Sequence, residues 1–214
     1  MSAARVAGLA AAVAFAAGCL SKPSHFECDF AAAASTDLSA RLGTEQGGGN
    51  SVTPCPDGVV VGMEITLTRT PGGFQEKTAV AATLHCAALS TRDGDYATGT
   101  ITKQNVAGGF ATSDGPYAAD CPDGQVVIGL AAHRVATDKD HLFNSFVLLC
   151  SAVDQSGAPT GGVTRVRIVE TGVTPSDTEA RCSAGKVLQG LKSYTGSELD
   201  RVDLLCTQMP CAAP

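Results

Sequence analysis

The chain has no tryptophan, three tyrosines and seven phenylalanines, so aromatic residues fill only 5% of its 214 positions. A site built on stacked aromatic platforms therefore has few residues to draw on. Positive charge is also scarce. Fifteen Lys and Arg face 21 Asp and Glu, a net charge of −6. That balance excludes a nucleic-acid binder, which needs a basic stripe, and offers no electrostatic pull towards an anionic membrane surface. Outside the start of the chain there is no apolar run of about twenty residues, the length that a bilayer-spanning helix requires. The serine elbow, the H-E-x-x-H pair and the phosphate-binding glycine loop are missing too. No C-x-x-C or Cys/His cluster suggests zinc. Asp93 and Asp95 with nearby Asp114, and Asp138 with Asp140, lack the spacing of a calcium loop. His133 and His141 flank one loop but have no further ligand beside them. No metal and no cofactor are expected. Amphipathic helical periodicity is absent as well; Ala31 to Ala34 would make at most one turn.

What the chain does have is repetition. A cysteine is followed three residues later by glycine at Cys55/Gly58, Cys121/Gly124 and Cys182/Gly185. A valine-rich run follows each time, at Val59-Val60-Val61, Val126-Val127-Ile128 and Val187-Leu188. Then comes glycine with an apolar residue: Gly62-Met63, Gly129-Leu130, Gly190-Leu191. Each copy closes on a cysteine, Cys86, Cys150 or Cys206. Apolar residues stand two before it (Leu84, Leu148, Leu204) and four before it (Ala82, Phe146, Val202). A period of two marks a strand with one buried face. The opposite face of the third copy carries Arg201 and Asp203 and is expected to meet water. The repeat cores are thus residues 55–86, 121–150 and 182–206. A β unit of this size cannot bury its face alone and needs its neighbours.

Residues 1–18 have the form of an export signal: Arg5, an apolar run from Val6 to Ala17, then small residues before Cys19. Ala16-Ala17-Gly18-Cys19 resembles the bacterial lipobox, with alanine where leucine is usual three positions before the cysteine. The resemblance implies that Cys19 takes the lipid and that, with Leu20 next, the protein is sorted to the outer membrane, facing the periplasm or the cell surface. The alternative is an ordinary signal peptide with Cys19 spare. Residues 19–25 form a tether that reaches about 20 Å at most, and residues 26–214 form one domain.

Removing Cys19 from the nine cysteines leaves eight, an even number for an exported chain. The repeat pairs Cys55 with Cys86, Cys121 with Cys150, and Cys182 with Cys206. Cys28 and Cys211 remain, one near each end, and pairing them would latch the domain. Eight cysteines allow 105 connectivities, so this choice rests on the repeat. It also disposes of His85-Cys86 as a catalytic pair, because Cys86 would carry no free thiolate.

After the first and second copies come further alternating strands, around Thr100 to Val106 and Thr164 to Val169, and then loops leading to the next cysteine. The third copy has no such sequel. A weak strand from Leu38 to Leu42 near the N-terminus would supply it, so that one copy is split between the two chain ends. Turn-forming Pro and Gly clusters separate the strands throughout. The fold class is all-β.

A three-fold repeat of Cys-x-x-Gly, a valine-rich strand and a closing Asp-x-Val-x-Leu-x-Cys strand (Asp200, Val202, Leu204 and Cys206 in the third copy) resembles the vitelline membrane outer layer protein family. Its fold is a β-prism, three Greek-key sheets about a pseudo-three-fold axis, shared with the jacalin-related lectins. The resemblance spans roughly residues 26–211. Gly196-Ser197-Glu198-Leu199-Asp200 matches the Gly-x-x-x-Asp sugar loop of those lectins. The resemblance implies one carbohydrate site with Asp200, the backbone at Gly196, and Tyr194 as its wall. The slot of Asp200 holds Asn144 in the second copy and Val80 in the first; Asn144 is the weaker candidate for a second contact. Gly47 to Gly49 is a faint counterpart of the lectins' paired-glycine loop.

The expected function is non-catalytic: a monomeric cell-envelope lipoprotein presenting a rigid β scaffold for adhesion or surface interaction. Its partners would be the membrane, through the lipid, and an envelope protein or a glycan. The first alternative is a lectin-like module using the 194–200 loop. A glycoside-active enzyme would need two carboxylates roughly 5–9 Å apart, which only a structure reveals.

Overall fold

The structure is a computed structural model, and it describes residues 27–28, 37–43, 49–69, 77–92, 95–107, 114–136, 141–154, 156–169, 178–196, 199–209 and 211–212. The export signal, Cys19, the tether, Ala31 to Ala34 and Gly47-Gly48 lie outside the described residues.

Three four-stranded antiparallel sheets follow one plan. In the first, β4 (Val59–Arg69) and β5 (Lys77–Ala87) form the central hairpin, flanked by β8 (Thr102–Ala107) and β9 (Asp114–Asp120). In the second, β10 (Gln125–Ala136) and β11 (His141–Ala152) are flanked by β12 (Thr164–Val169) and β13 (Thr178–Arg181). In the third, β14 (Val187–Thr195) and β15 (Leu199–Thr207) are flanked by β2 (Asp37–Gly43) and β3 (Gly49–Pro54). The N-terminal piece thus supplies both outer strands of the last copy, and the split copy expected from the sequence is present.

The residues leading to each cysteine were expected to be loops. They are strands: β3, β9 and β13. Each pairs not with its own copy but with the opening strand of the preceding one. Pro54 and Pro116 lie in these outer strands, where a missing N–H costs least, and this is what made them look like loop sequence.

Two irregularities recur at equivalent places in every copy. The first is a β-bulge that leaves one extra residue before the glycine: Val61, Ile128 and Gln189. Its carbonyl accepts a hydrogen bond from the next copy's cysteine. Cys121 N–H donates to Val61 O at 2.8 Å, Cys182 N–H to Ile128 O at 2.8 Å, and Cys55 N–H to Gln189 O at 2.7 Å. The last bond runs from the first copy back to the third, so the cycle closes. The glycine after the bulge is needed for close approach. A Cβ at Gly62, Gly129 or Gly190 would come within 2.7, 2.5 and 2.4 Å of the carbonyl oxygens of Ala119, Ala180 and Thr53. The second irregularity, at the far end of each hairpin, is described below.

The inner faces of the three sheets share one core. Leu84, Leu148, Leu204, Ala82, Phe146 and Val202, the alternating residues of the closing strands, are all buried in it beside Met63, Ile65, Leu130 and Leu191. Phe143 and Phe146 pack with ring centroids 5.2 Å apart. The three bridges Cys55–Cys86, Cys121–Cys150 and Cys182–Cys206 are formed, with Cα separations of 5.4, 5.7 and 5.5 Å. Each links the start of an opening strand to the end of its closing strand.

A fourth, smaller sheet was not anticipated. It comprises β16 (Cys211–Ala212), β1 (Glu27–Cys28), β6 (Leu89–Arg92) and β7 (Asp95–Thr98), in that order. Its register sets Cys28 opposite Cys211, so the two chain ends meet in backbone pairing. Leu89 and Tyr96 of this sheet join a second apolar cluster with Val59, Val126 and Val187, which stand at the start of the three opening strands. The fourth sheet therefore caps the disulfide end of the molecule, and the chain enters the domain there. The far ends of the central hairpins, at the pairs Arg69–Lys77, Ala136–His141 and Thr195–Leu199, lie at the opposite end.

Candidate functional site

The far end of the third hairpin holds the candidate loop. Tyr194 pairs with Arg201 and Thr195 with Leu199, so Asp200 is the extra residue of a bulge. The same count places Asn144 at a bulge between the pairs His133–Ser145 and Arg134–Phe143, and Val80 at one between Thr66–Ala81 and Leu67–Ala79. Counting six residues back from each closing cysteine thus finds structurally equivalent positions. A bulge re-aims the side chain it carries.

The three side chains meet different fates. Val80 is buried in the first copy. Asn144 is 2% exposed, and among the described residues neither its Oδ1 nor the neighbouring Ser145 Oγ has a hydrogen-bond partner. Asp200 is half-buried, and its Oδ2 accepts a hydrogen bond of 3.1 Å from the N–H of Gly196. The carboxylate is thereby tied to Gly196; Ser197 and Glu198 between them lie outside the described residues. Gly43, φ +96°, runs so close beneath it that a Cβ there would lie 2.3 Å from Asp200 O. Gly196 and Asp200 are brought together; Asn144, in another sheet, is not part of the same constellation.

Tyr194 is not a bare wall. Arg201 Cζ lies 4.3 Å and Lys192 Nζ 5.0 Å from its ring centroid, both within cation–π range. Lys192, Tyr194, Arg201 and Asp203 share the outer face of the third sheet, with Asn50, Val52 and Arg41 on the flanking strands. The expectation that Arg201 and Asp203 meet water is corrected by the structure: they are 5% and 3% exposed. Arg201 Nε and Nη2 donate to Asp203 Oδ1 and Oδ2 at 2.7 and 2.5 Å, and Arg41 Nε stands 3.4 Å from Asp203 Oδ1. Alternation shows which face these residues take, but gives no sign that the two would be buried there as a charged fork against a tyrosine ring.

The other outer faces carry ion networks. On the first sheet His85 Nδ1 donates to Asp120 Oδ1 at 2.5 Å, His85 Nε2 lies 3.2 Å from Glu64 Oε1, and Lys103 Nζ hydrogen-bonds Glu64. The Lys103 bond, aided by His85, holds the Glu64 carboxyl below its usual range against the opposing effect of burial. On the second sheet Arg165 Nη1 donates to Glu179 Oε2 at 2.8 Å and Arg181 Nε donates to Oε1; Arg165 first, then Arg181, lowers the Glu179 pKa, with burial opposing. Glu64 and Asp120 are carboxylates gathered at one side chain, but both are engaged in ion contacts. Among the described residues no group of three His, Cys, Asp or Glu is placed to hold a metal, and no helix is long and apolar enough to cross a membrane.

No family model and no curated protein matches the chain. Solved structures do. The Calystegia sepium agglutinin superposes with a TM-score of 0.51 at 14% identity, covering 78% of this chain and 93% of its own. The fold is a β-prism. Wild-type Malaysian banana lectin gives 0.47 at 15% identity (79% and 95% covered), and single-chain recombinant jacalin 0.42 at 12% identity (78% and 91%). At such identities the likeness concerns the path of the backbone, and it agrees with the three-sheet cycle and the all-β, disulfide-stapled domain read from the chain. The prism's other properties have to be argued from its own residues.

Proposed function

We propose that the protein is a non-catalytic envelope lipoprotein whose prism binds carbohydrate at one place, the 194–200 loop. The observation that carries this reading is the Gly196–Asp200 hydrogen bond on a β-bulge. It fixes a carboxylate in a tight loop at an exposed end of a rigid sheet, and a carboxylate with nearby backbone donors is the chemistry that grips vicinal hydroxyls. The structurally similar Calystegia sepium protein is an agglutinin, which supports the reading as an analogy of fold. Asn144 and Val80 do not repeat the Asp200 arrangement, which favours one site over three.

Orientation supports it further. Lipid on Cys19 would hold the membrane close to the disulfide end, where Glu27–Cys28 enters the prism. The 194–200 loop lies at the other end and would point away from the bilayer. Anchor and candidate site are thus at opposite poles.

A glycan array with the full-length protein tests the binding. The expected result is a restricted set of bound glycans, lost in Asp200→Ala. A second reading, a scaffold for adhesion or envelope structure with no sugar ligand, is favoured by the fact that one Asp200 oxygen is already bonded within its own loop. A blank array would establish the scaffold and remove the lectin reading.

A further inference from the structure

We infer that the ligand of the 194–200 loop is an acidic oligosaccharide, with an anionic substituent seated at Lys192. The inference rests on the carbohydrate reading above and names the substrate class of that site.

The argument starts from the charges on the outer face of the third sheet. Asp203 is opposite Lys192 in the register and would be its natural partner. Its carboxylate is taken instead by the fork of Arg201 and by Arg41. Among the described residues Lys192 makes no hydrogen bond or ion pair; its contact is with the ring of Tyr194, 5.0 Å away. Tyr194 in turn lies against Arg201. Among the described residues of this face Lys192 is thus the cation with no carboxylate of its own, standing beside the network of Arg41, Asp203 and Arg201. A cation held beside an aromatic ring, with its cross-strand carboxylate committed elsewhere, is left to attract an anion from solution.

Position makes that anion part of a sugar. Lys192 and Tyr194 point the same way, two residues apart, and the strand runs from them directly into Gly196. From Lys192 to Gly196 is four residues, about 13 Å along a strand. That is wider than one pyranose ring, so a ligand using both ends has at least two. One ring places hydroxyls at Asp200, and the acidic group of another reaches Lys192. Flanking β3 offers Asn50 and Val52 on the same face, and Val52 is 57% exposed, an open apolar edge against which a ring can lie. A carboxylate of a uronic acid and a sulfate ester share the required chemistry.

Calorimetric titration of the full-length protein in detergent micelles tests this with three probes: an oligogalacturonate, its methyl ester and a sulfated galactan oligomer. We expect the acid to bind about tenfold more tightly than the ester at low salt, with the advantage shrinking as salt rises. Lys192→Gln should bring the acid-to-ester ratio to about one, while Lys103→Gln, the same charge change on the first sheet, should keep it. Lys192-dependent binding of the uronate alone, of the sulfated oligomer alone, or of both supports the inference and names the group. Equal binding of acid and ester, or a preference that survives Lys192→Gln, overturns it while leaving the carbohydrate reading intact. Absence of binding to any probe, together with a blank glycan array, overturns both.

Discussion

At residue scale, the third sheet puts a charged pair where an exposed face was expected, and this has a measurable consequence. Arg201 and Asp203 satisfy one another in a nearly dry setting. Removing Asp203 takes the two-pronged carboxylate contact from a buried guanidinium, whereas replacing both removes the two buried charges together. Asp203→Ala should therefore destabilise the prism by about 3 kcal/mol or more, and the double replacement Arg201→Met, Asp203→Leu should recover most of that loss, as urea melts would show. Glycine gives a second test. Gly190→Ala drives a methyl group against backbone that is itself paired and should cost about 1–3 kcal/mol. Gly185→Ala meets no atom within 4 Å but must hold φ at +79°, and should cost roughly 1 kcal/mol. Gly190 recurs in the repeat with Gly62 and Gly129, and Gly185 with Gly58 and Gly124. Gly190 is glycine because of crowding by a strand from elsewhere in the chain, whereas Gly185 holds a turn conformation that is local.

At the scale of elements, the outer faces are tied by ion networks that bridge strands, and these respond to pH. Glu64 and Glu179 both have folded-state pKa values below the ordinary 4.5. The unfolded chain then holds more protons than the folded one in the acid range, so their contribution is present above pH 4.5 and is lost as pH falls through the lowered folded values. Glu64→Gln with Glu179→Gln should flatten the acid limb of a stability-against-pH curve and leave its shape above pH 5 unaltered. The disulfides act within single copies, over separations of 31, 29 and 24 residues. Replacing any one pair by serine should cost about 3 kcal/mol, with the three costs differing by only a few tenths, because loop entropy varies slowly with length. The closing strands were legible over the residues just before each cysteine, where apolar residues stand at every second position; the bulges at Val80, Asn144 and Asp200 lie beyond that stretch. Strands β3, β9 and β13 were not, because their partners lie in a different copy and short edge strands carry little periodicity of their own.

At the scale of the whole molecule, closure is the central property. Hydrogen bonds pass from copy one to two, two to three, and three to one, and both outer strands of the third sheet come from the N-terminal part of the chain. Deleting residues 20–54 should leave β14 and β15 as a lone hairpin, marginal in water, and abolish cooperative unfolding in a thermal melt. Deleting residues 20–25 should leave the melt unchanged. With Cys28 and Cys211 in register, we propose that they form the fourth bridge; non-reducing peptide mapping should recover their peptides joined. For the anchor, intact mass should show lipid on Cys19, and Cys19→Ser should lose both the lipid and detergent partitioning.

The sequence by itself determined the number of copies, the paired cysteines within each, the buried positions of the closing strands and the shared slot of Val80, Asn144 and Asp200. All of these are local, set by a two-residue period and by spacing counted from a cysteine. Only the tertiary structure decided which strand completes which sheet, that a fourth sheet caps the disulfide end, and that Asp203 is claimed by arginines while Lys192 is left beside Tyr194. Those outcomes depend on which side chains from distant parts of the chain arrive on the same face, and a periodic pattern carries no record of its neighbours' charges.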